Sequence, residues 1–213
     1  MANQKHTGVT PLYYSFLEKI KSEREKFAYL QLIGRIEDYL VKEFIYHIFI
    51  KSKGTRYAYP NVGNKGERKY DIAIMNDINN PKITALIEAK YFRNKHRISD
   101  NDASDENTTT LRDLSSQMGK FNKPKHSYYS VKLIGHNKEI YGLVFASFVS
   151  LEENDKKLNS FFNKILTKAS EFKLIYHDHK HPYLNKVYEK TLIKVCGKDV
   201  FCTLKAGLWR KAI

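Results

Sequence analysis

Apolar residues recur at helical spacing along the N-terminal part of the chain and then give way to short, dense β-rich runs. From Pro11 to about Ile50 the sequence is helical in character, with only Gly34 interrupting. Its second part, Phe27 to Ile48, carries a stripe of Leu30, Ile33, Val41, Phe44 and Ile48. At about 100° per residue, Glu37 falls in the middle of that stripe and Glu43 well off it. A carboxylate on a core-facing side needs a partner, because burying it bare is costly. Either a buried Arg or Lys pairs with Glu37, or Glu37 sits at the mouth of the core, or it is a third carboxylate aimed at the sheet that carries Asp71 and Glu88.

The central stretch runs from Lys69 to Phe92. Two β-rich runs, Tyr70 to Met75 and Ile83 to Phe92, flank a break rich in Asn, Asp and Pro between Asn76 and Pro81, which predicts a pair of adjacent strands. A short strand near Thr55 to Tyr59 precedes them. Thr108 to Phe121 predicts an amphipathic helix with Leu111, Leu114, Met118 and Phe121 on one face and Gln117 beside it. The near-continuous apolar run from Glu139 to Val149 reads as a strand covered on both faces. Asp155 to Ser170 is a second amphipathic helix, and Phe172 to Tyr176 a further strand. Val187 to Val195 and Val200 to Leu204 form a hairpin around Gly197-Lys198-Asp199, ending in Leu208-Trp209. This order predicts an α/β fold: a mixed central sheet flanked by helices, with a C-terminal β-hairpin extension. One domain is expected over residues 1–213, with a core of about 27–176 and an extension over 177–213.

Composition sharpens this picture in one respect. The 213 residues are 42% hydrophobic, enough for a real core, yet carry a formal net charge of +14. Such an excess favours polyanionic partners, nucleic acid ahead of an acidic membrane surface. Lys65, Arg68 and Lys69 before the central pair, Arg93 and Lys95 after it, and Lys120 and Lys123 at a helix end are the candidate phosphate contacts. The competing account of each is a solvated charged loop. No apolar run is long enough for a membrane span, and the first residues lack an apolar signal core. Cys196 and Cys202 are too few and too local for a disulfide framework, so a reducing, cytoplasmic setting is expected. His177, His179 and His181 would share a face if extended and could then hold Zn²⁺. Asp178, Lys180 and Pro182 between them favour a polar strand end or loop instead.

Side chains alternate along a strand, so Glu88 and Lys90 point the same way, and Asp71 on the neighbouring strand can meet them. The acidic-x-Lys triplet alone means little here. It recurs at Glu67-Arg68-Lys69, Asp155-Lys156-Lys157, Glu171-Phe172-Lys173 and Asp178-His179-Lys180. Only Glu88-Ala89-Lys90 ends an apolar strand with an Asp-bearing strand and a Glu-bearing helix before it. Hard oxygen ligands such as Asp71 and Glu88 suit Mg²⁺, for which Mn²⁺ can substitute. The Ala89 carbonyl can add a ligand, and Glu37 completes the shell directly or through water. Lys90 can stabilise developing charge or help orient and deprotonate a water. These groups match what phosphodiester hydrolysis requires.

A helix with Gly34-x-x-Glu37, a strand pair with Asp71, then Glu88-Ala89-Lys90, then helix and strand, resembles the PD-(D/E)XK nuclease superfamily, with its restriction endonuclease-like fold. The resemblance spans about Phe27 to Val149 and rests on order and context. Tyr70 stands where the family name has Pro. Gln117 with Phe121 resembles the Gln-x-x-x-Tyr helix of exonuclease-like branches, with Phe in place of Tyr, which makes Gln117 an accessory candidate. The resemblance implies a metal-dependent nuclease with Glu37, Asp71, Glu88 and Lys90 as catalytic residues. DNA is favoured over RNA, and an endonuclease of restriction, defence or repair type is expected. A homodimer is also expected, because one site cuts one strand and two-fold pairing reaches both. The alternative is a non-catalytic nucleic-acid-binding module that retains the fold.

Overall fold

The computed structural model describes residues 8–33, 36–62, 70–76, 82–94, 110–116, 118 and 139–212. Three helices lead: α1 (Val9–Ser22), α2 (Arg24–Ile33) and α3 (Ile36–Lys51). Strands β1 (Arg56–Val62), β2 (Tyr70–Asn76) and β3 (Lys82–Arg93) follow, then helical residues 110–116, here α4, and β4 (Glu139–Ser150). The chain continues through α5 (Lys157–Glu171), β5 (Leu174–Tyr176), β6 (Asn185–Val195) and β7 (Lys198–Lys211).

The strands form one mixed seven-stranded sheet in the order β1-β2-β3-β4-β7-β5, with β6 also on β7. β3 and β4 run parallel, and the other pairings are antiparallel. A parallel pair needs a crossover between its strands, and α4 lies in the segment that makes it. Apolar clusters cover both faces, with a smaller third one of Tyr70, Ala73, Met75, Ile83 and Leu86 on β2 and β3. Leu12, Phe16 and Ile20 of α1, Phe27 of α2 and Leu40 and Phe44 of α3 pack on Ile72, Ile74, Ala85, Ile87, Ala89, Leu143 and Phe145. Leu111, Leu114 and Met118 join Phe162 and Ile165 of α5 over Phe92, Val144, Ala146, Phe148 and Trp209.

Two expectations change. The helical region is not one phase from Phe27 to Ile48, because α2 buries Phe27, Ala28 and Gln31 whereas α3 buries a row on a different phase. The stripe therefore restarts, and the buried residues of α3 are Ile36, Leu40, Phe44, His47 and Ile48. Ile33 is 56% exposed, and Glu37 is exposed beside the buried row instead of inside it. The C-terminal hairpin forms, but it is no appendage to a core ending near 176. β7 lies against β4 from Gly142↔Trp209 to Ser150↔Phe201, so the last strand in sequence is an interior strand of the sheet. Its Trp209 is fully buried, with the indole N–H donating to the Tyr183 carbonyl at 2.7 Å.

At its C-terminus α3 closes in a left-handed turn. Lys53 (φ 52°) and Gly54 (φ 74°) send their N–H groups back to the carbonyls of Ile50 and Phe49, and the chain enters β1. Among the described residues, no helix is long and apolar enough to cross a membrane.

Candidate active site

Ala85, Ile87 and Ala89 face the core under α1–α3, whereas Phe92 belongs to the core under α4 and α5. Strand alternation therefore places Glu88 and Lys90 on the α4 side. Glu88 pairs with Gly142 of β4, and a side chain at Gly142 would press on Leu114 and Met118. The missing side chain lets α4 approach the sheet next to Glu88, which is only 2% exposed. A carboxylate that deep needs compensation. The Lys90 ammonium supplies it, donating to Glu88 Oε1 at 2.5 Å while keeping a fifth of its own side-chain surface in solvent.

Asp71 joins this pair through the backbone. The β2–β3 register runs from Asn76↔Lys82 to Ile72↔Ile87, with a shift between Ile74 and Met75. One residue beyond Ile72, the Asp71 carboxylate accepts the Ala89 N–H at 2.7 Å. A side chain of β2 thus takes the place of a ladder partner at the position between Glu88 and Lys90. Asp71 is half-buried.

Glu37 and Asp38 occupy the first turn of α3, where free backbone N–H groups and the helix dipole favour carboxylates. Glu37 is accessible to solvent, yet enough protein surrounds it that desolvation pushes its carboxyl above the ordinary range. The Lys90 ammonium opposes that shift, and the negative charges of Asp71 and Asp38 reinforce it. Asp71 follows the same logic: burial raises its carboxyl, the Ala89 N–H and Lys90 pull it down, and Asp38 adds to the rise. Glu37, Asp71 and Lys90 therefore act on one another electrostatically across the junction of α3, β2 and β3. Two carboxyls whose charged forms are disfavoured both feel the charge of the Lys90 ammonium, an arrangement that an added cation would relieve.

Sequence reasoning named Glu37 but passed over Asp38 and Tyr91. The only signal for Asp38 was its place beside Glu37. Tyr91 lies between Lys90 and Phe92, and burial raises its phenol well above the usual range. The Glu37 charge adds to that rise, while the nearby Ser147 hydroxyl opposes it without reaching hydrogen-bond geometry. Arg93, the remaining described member of the basic set, is exposed at the end of β3. Lys65, Arg68, Lys69, Lys95, Gln117, Lys120 and Lys123 lie outside the described residues.

The histidine segment is a turn, not a strand, so its three imidazoles do not share a face. His177 is buried at 6% exposure against Tyr176, whereas His179 and His181 are exposed. Among the described residues, no three His, Cys, Asp or Glu side chains group closely enough to hold a metal on their own. That excludes an all-protein cage of described residues. It is compatible with Mg²⁺, which takes one or two carboxylates and fills its octahedron with water and substrate oxygens. Asp71 and Glu88 are hard oxygen donors of that kind.

Fold and site together define an α/β protein with an open mixed sheet and a cluster of acids around one lysine, set where β2 and β3 end their ladder. Comparisons with protein-family models, with curated proteins and with solved structures give no match to this chain.

Proposed function

We propose that this protein is a metal-dependent nuclease that hydrolyses phosphodiester bonds, with DNA favoured over RNA, and that it belongs with the PD-(D/E)XK nucleases its sequence resembles. The observation that carries this reading is the Asp71–Ala89 hydrogen bond beside the Glu88–Lys90 ion pair. Together they hold Asp71, Glu88 and Lys90 on two neighbouring strands, with the Glu37 carboxyl feeling the charges of Lys90 and Asp71.

In this reading Asp71 and Glu88 would hold Mg²⁺, or Mn²⁺ in its place, with the Ala89 carbonyl as a further ligand and Glu37 reaching the ion through water. The bound ion supplies Lewis acidity and a more acidic water. Lys90 would orient a nucleophilic water and offset charge that builds on the phosphoryl oxygens, because Glu88 already holds its ammonium in place. Endonuclease action by a homodimer, in a restriction, defence or repair setting, follows the family expectation.

The test is incubation of supercoiled plasmid with the protein in Mg²⁺, in Mn²⁺ and in EDTA. Nicking or linearisation that needs the metal supports the proposal. Retention of plasmid without cleavage in any metal points instead to the non-catalytic binding module.

A further inference from the structure

We infer that the β6–β7 hairpin tip is a reading arm for double-stranded DNA, placed on the same end of the sheet as the candidate site. The inference rests on the nuclease reading and gives its substrate a form: B-form duplex.

Strand register fixes where the tip lies. Lys90 pairs with Val144, and Val144 with Gly207. β3 and β4 are parallel, so both run from that level toward Arg93 and Ser150, and antiparallel β7 reaches the same end with its N-terminal residues. Asn94 ties the two parallel strands there, donating to the Val149 carbonyl and accepting the Val149 N–H, both at 2.8 Å. The β4–β7 ladder stops at Ser150↔Phe201, whereas β6 and β7 go on pairing as far as Val195↔Lys198. Beyond Phe201 the hairpin is a two-stranded ribbon.

The ribbon closes in a tight turn whose central residues, Cys196 (φ 49°) and Gly197 (φ 77°), are both left-handed, the geometry that suits the natural twist of a hairpin. Val200 is buried and Ile193 packs against the core, so the base of the tip is anchored. Every residue from Lys194 to Asp199 is exposed. At a rise of about 3.3 Å per residue, three residues on each strand reach roughly 10 Å. The major groove of B-DNA is about 8.5 Å deep and admits a two-stranded β-ribbon.

The chemistry matches that groove. Over residues 185–205, five lysines against Glu189 and Asp199 leave three positive charges in excess. Ile193 and Val200 face the α1–α3 core, so alternation puts Lys198 on that face and Lys194 on the other. A ribbon entering a groove point-first thus offers the Lys198 ammonium to one phosphate wall and Lys194, cross-strand from Asp199, to the other. Val195, 36% exposed, supplies apolar surface for base edges or thymine methyls. The deep, narrow major groove of A-form RNA does not admit such an element.

The test is binding of a fluorescent DNA duplex in EDTA, across a salt series, by the wild-type protein and by a Lys194→Glu/Lys198→Glu variant. An RNA duplex of the same sequence is run alongside. The wild type is expected to prefer the DNA duplex. The variant is expected to lose about tenfold or more in affinity and to flatten the salt slope by roughly 1.8, two contacts at about 0.9 each. The exposed Cys196 thiol carries a photo-crosslinker for a second readout, since Cys202 is buried, with its thiol pushed up to about 12. Cross-linking from Cys196 to the DNA duplex is expected. A variant that binds like wild type, equal affinity for RNA, or no cross-link from Cys196 to bound duplex would overturn the arm and leave the nuclease reading standing. Failure of the wild type to bind any nucleic acid would overturn both.

Discussion

The Asp71 carboxylate accepts the backbone N–H of Ala89, the residue between Glu88 and Lys90, at 2.7 Å. One acid of the candidate site thereby sets the backbone from which the other acid and the lysine project. Replacing Asp71 by Asn keeps an acceptor for that N–H; replacing it by Ala does not. Asp71→Asn is therefore expected to unfold in urea close to wild type, and Asp71→Ala to lose about 1–3 kcal/mol. Both are expected to abolish metal-dependent cleavage. Equal stability of the two variants would show that the hydrogen bond contributes nothing.

Glu88 and Lys90 form a pair in which one partner is buried and the other reaches solvent. Lys90→Met removes the ammonium that donates to the buried carboxylate and is expected to destabilise the fold by about 1–3 kcal/mol. Adding Glu88→Gln to that variant removes the charge and should recover part of the loss. A double-mutant cycle in urea measures the coupling.

His47 offers a pH dependence with a defined sign. Its Nε2 lies 2.7 Å from the Ser15 hydroxyl across the α1–α3 contact. Burial holds its pKa below the ordinary 6.5, Lys51 and Lys19 reinforce this, and Glu43 opposes it. The unfolded chain therefore takes up this proton at a higher pH than the folded chain does. The contribution of His47 to stability is complete above about pH 6.5 and is lost as pH falls through the lower folded value. Urea stability is expected to fall on going from about pH 7 to 5, with at most about 1.4 kcal/mol per pH unit from this residue. His177 shifts in the same direction, so His47→Gln should shallow the slope without removing it.

Gly207 sits in β7 under the Trp209 indole. A Cβ there would lie 2.8 Å from the Tyr183 carbonyl, the acceptor of the indole N–H, and would clash with the ring itself. Gly207→Ala is expected to cost about 1–3 kcal/mol through overpacking, read as a lower melting temperature and a shift in tryptophan fluorescence. Trp209 is the only tryptophan, so the fluorescence change reports that site alone.

Much of the architecture was legible because it rests on local pattern. The runs Tyr70–Met75, Ile83–Phe92 and Glu139–Val149 all became strands. The co-location of Glu88 and Lys90 needed only the period of a strand. What escaped depends on events far apart in sequence or on a single break. The interior place of β7 follows from its pairing with β4, some fifty residues earlier, which no local periodicity encodes. The core-facing phase of Glu37 assumed one continuous stripe, whereas the buried row of α3 runs through Ile36, Leu40, Phe44 and Ile48 and leaves Glu37 exposed beside it. Its relation to Asp71 and Lys90 does not depend on that phase, because it comes from the start of α3 meeting the ends of β2 and β3. The Asp71–Ala89 bond was illegible for another reason: it exists only where the ladder stops.

The central claim is that Asp71, Glu88 and Lys90 form one hydrolytic site. It is tested most directly by the initial rate of plasmid cleavage in Mg²⁺ for wild type, Asp71→Asn and Lys90→Met, each first shown to be folded by its urea transition. EDTA is expected to abolish the rate, and each substitution to lower it by about 10²-fold or more. Metal-dependent cleavage that persists at the wild-type rate in both variants would contradict the claim.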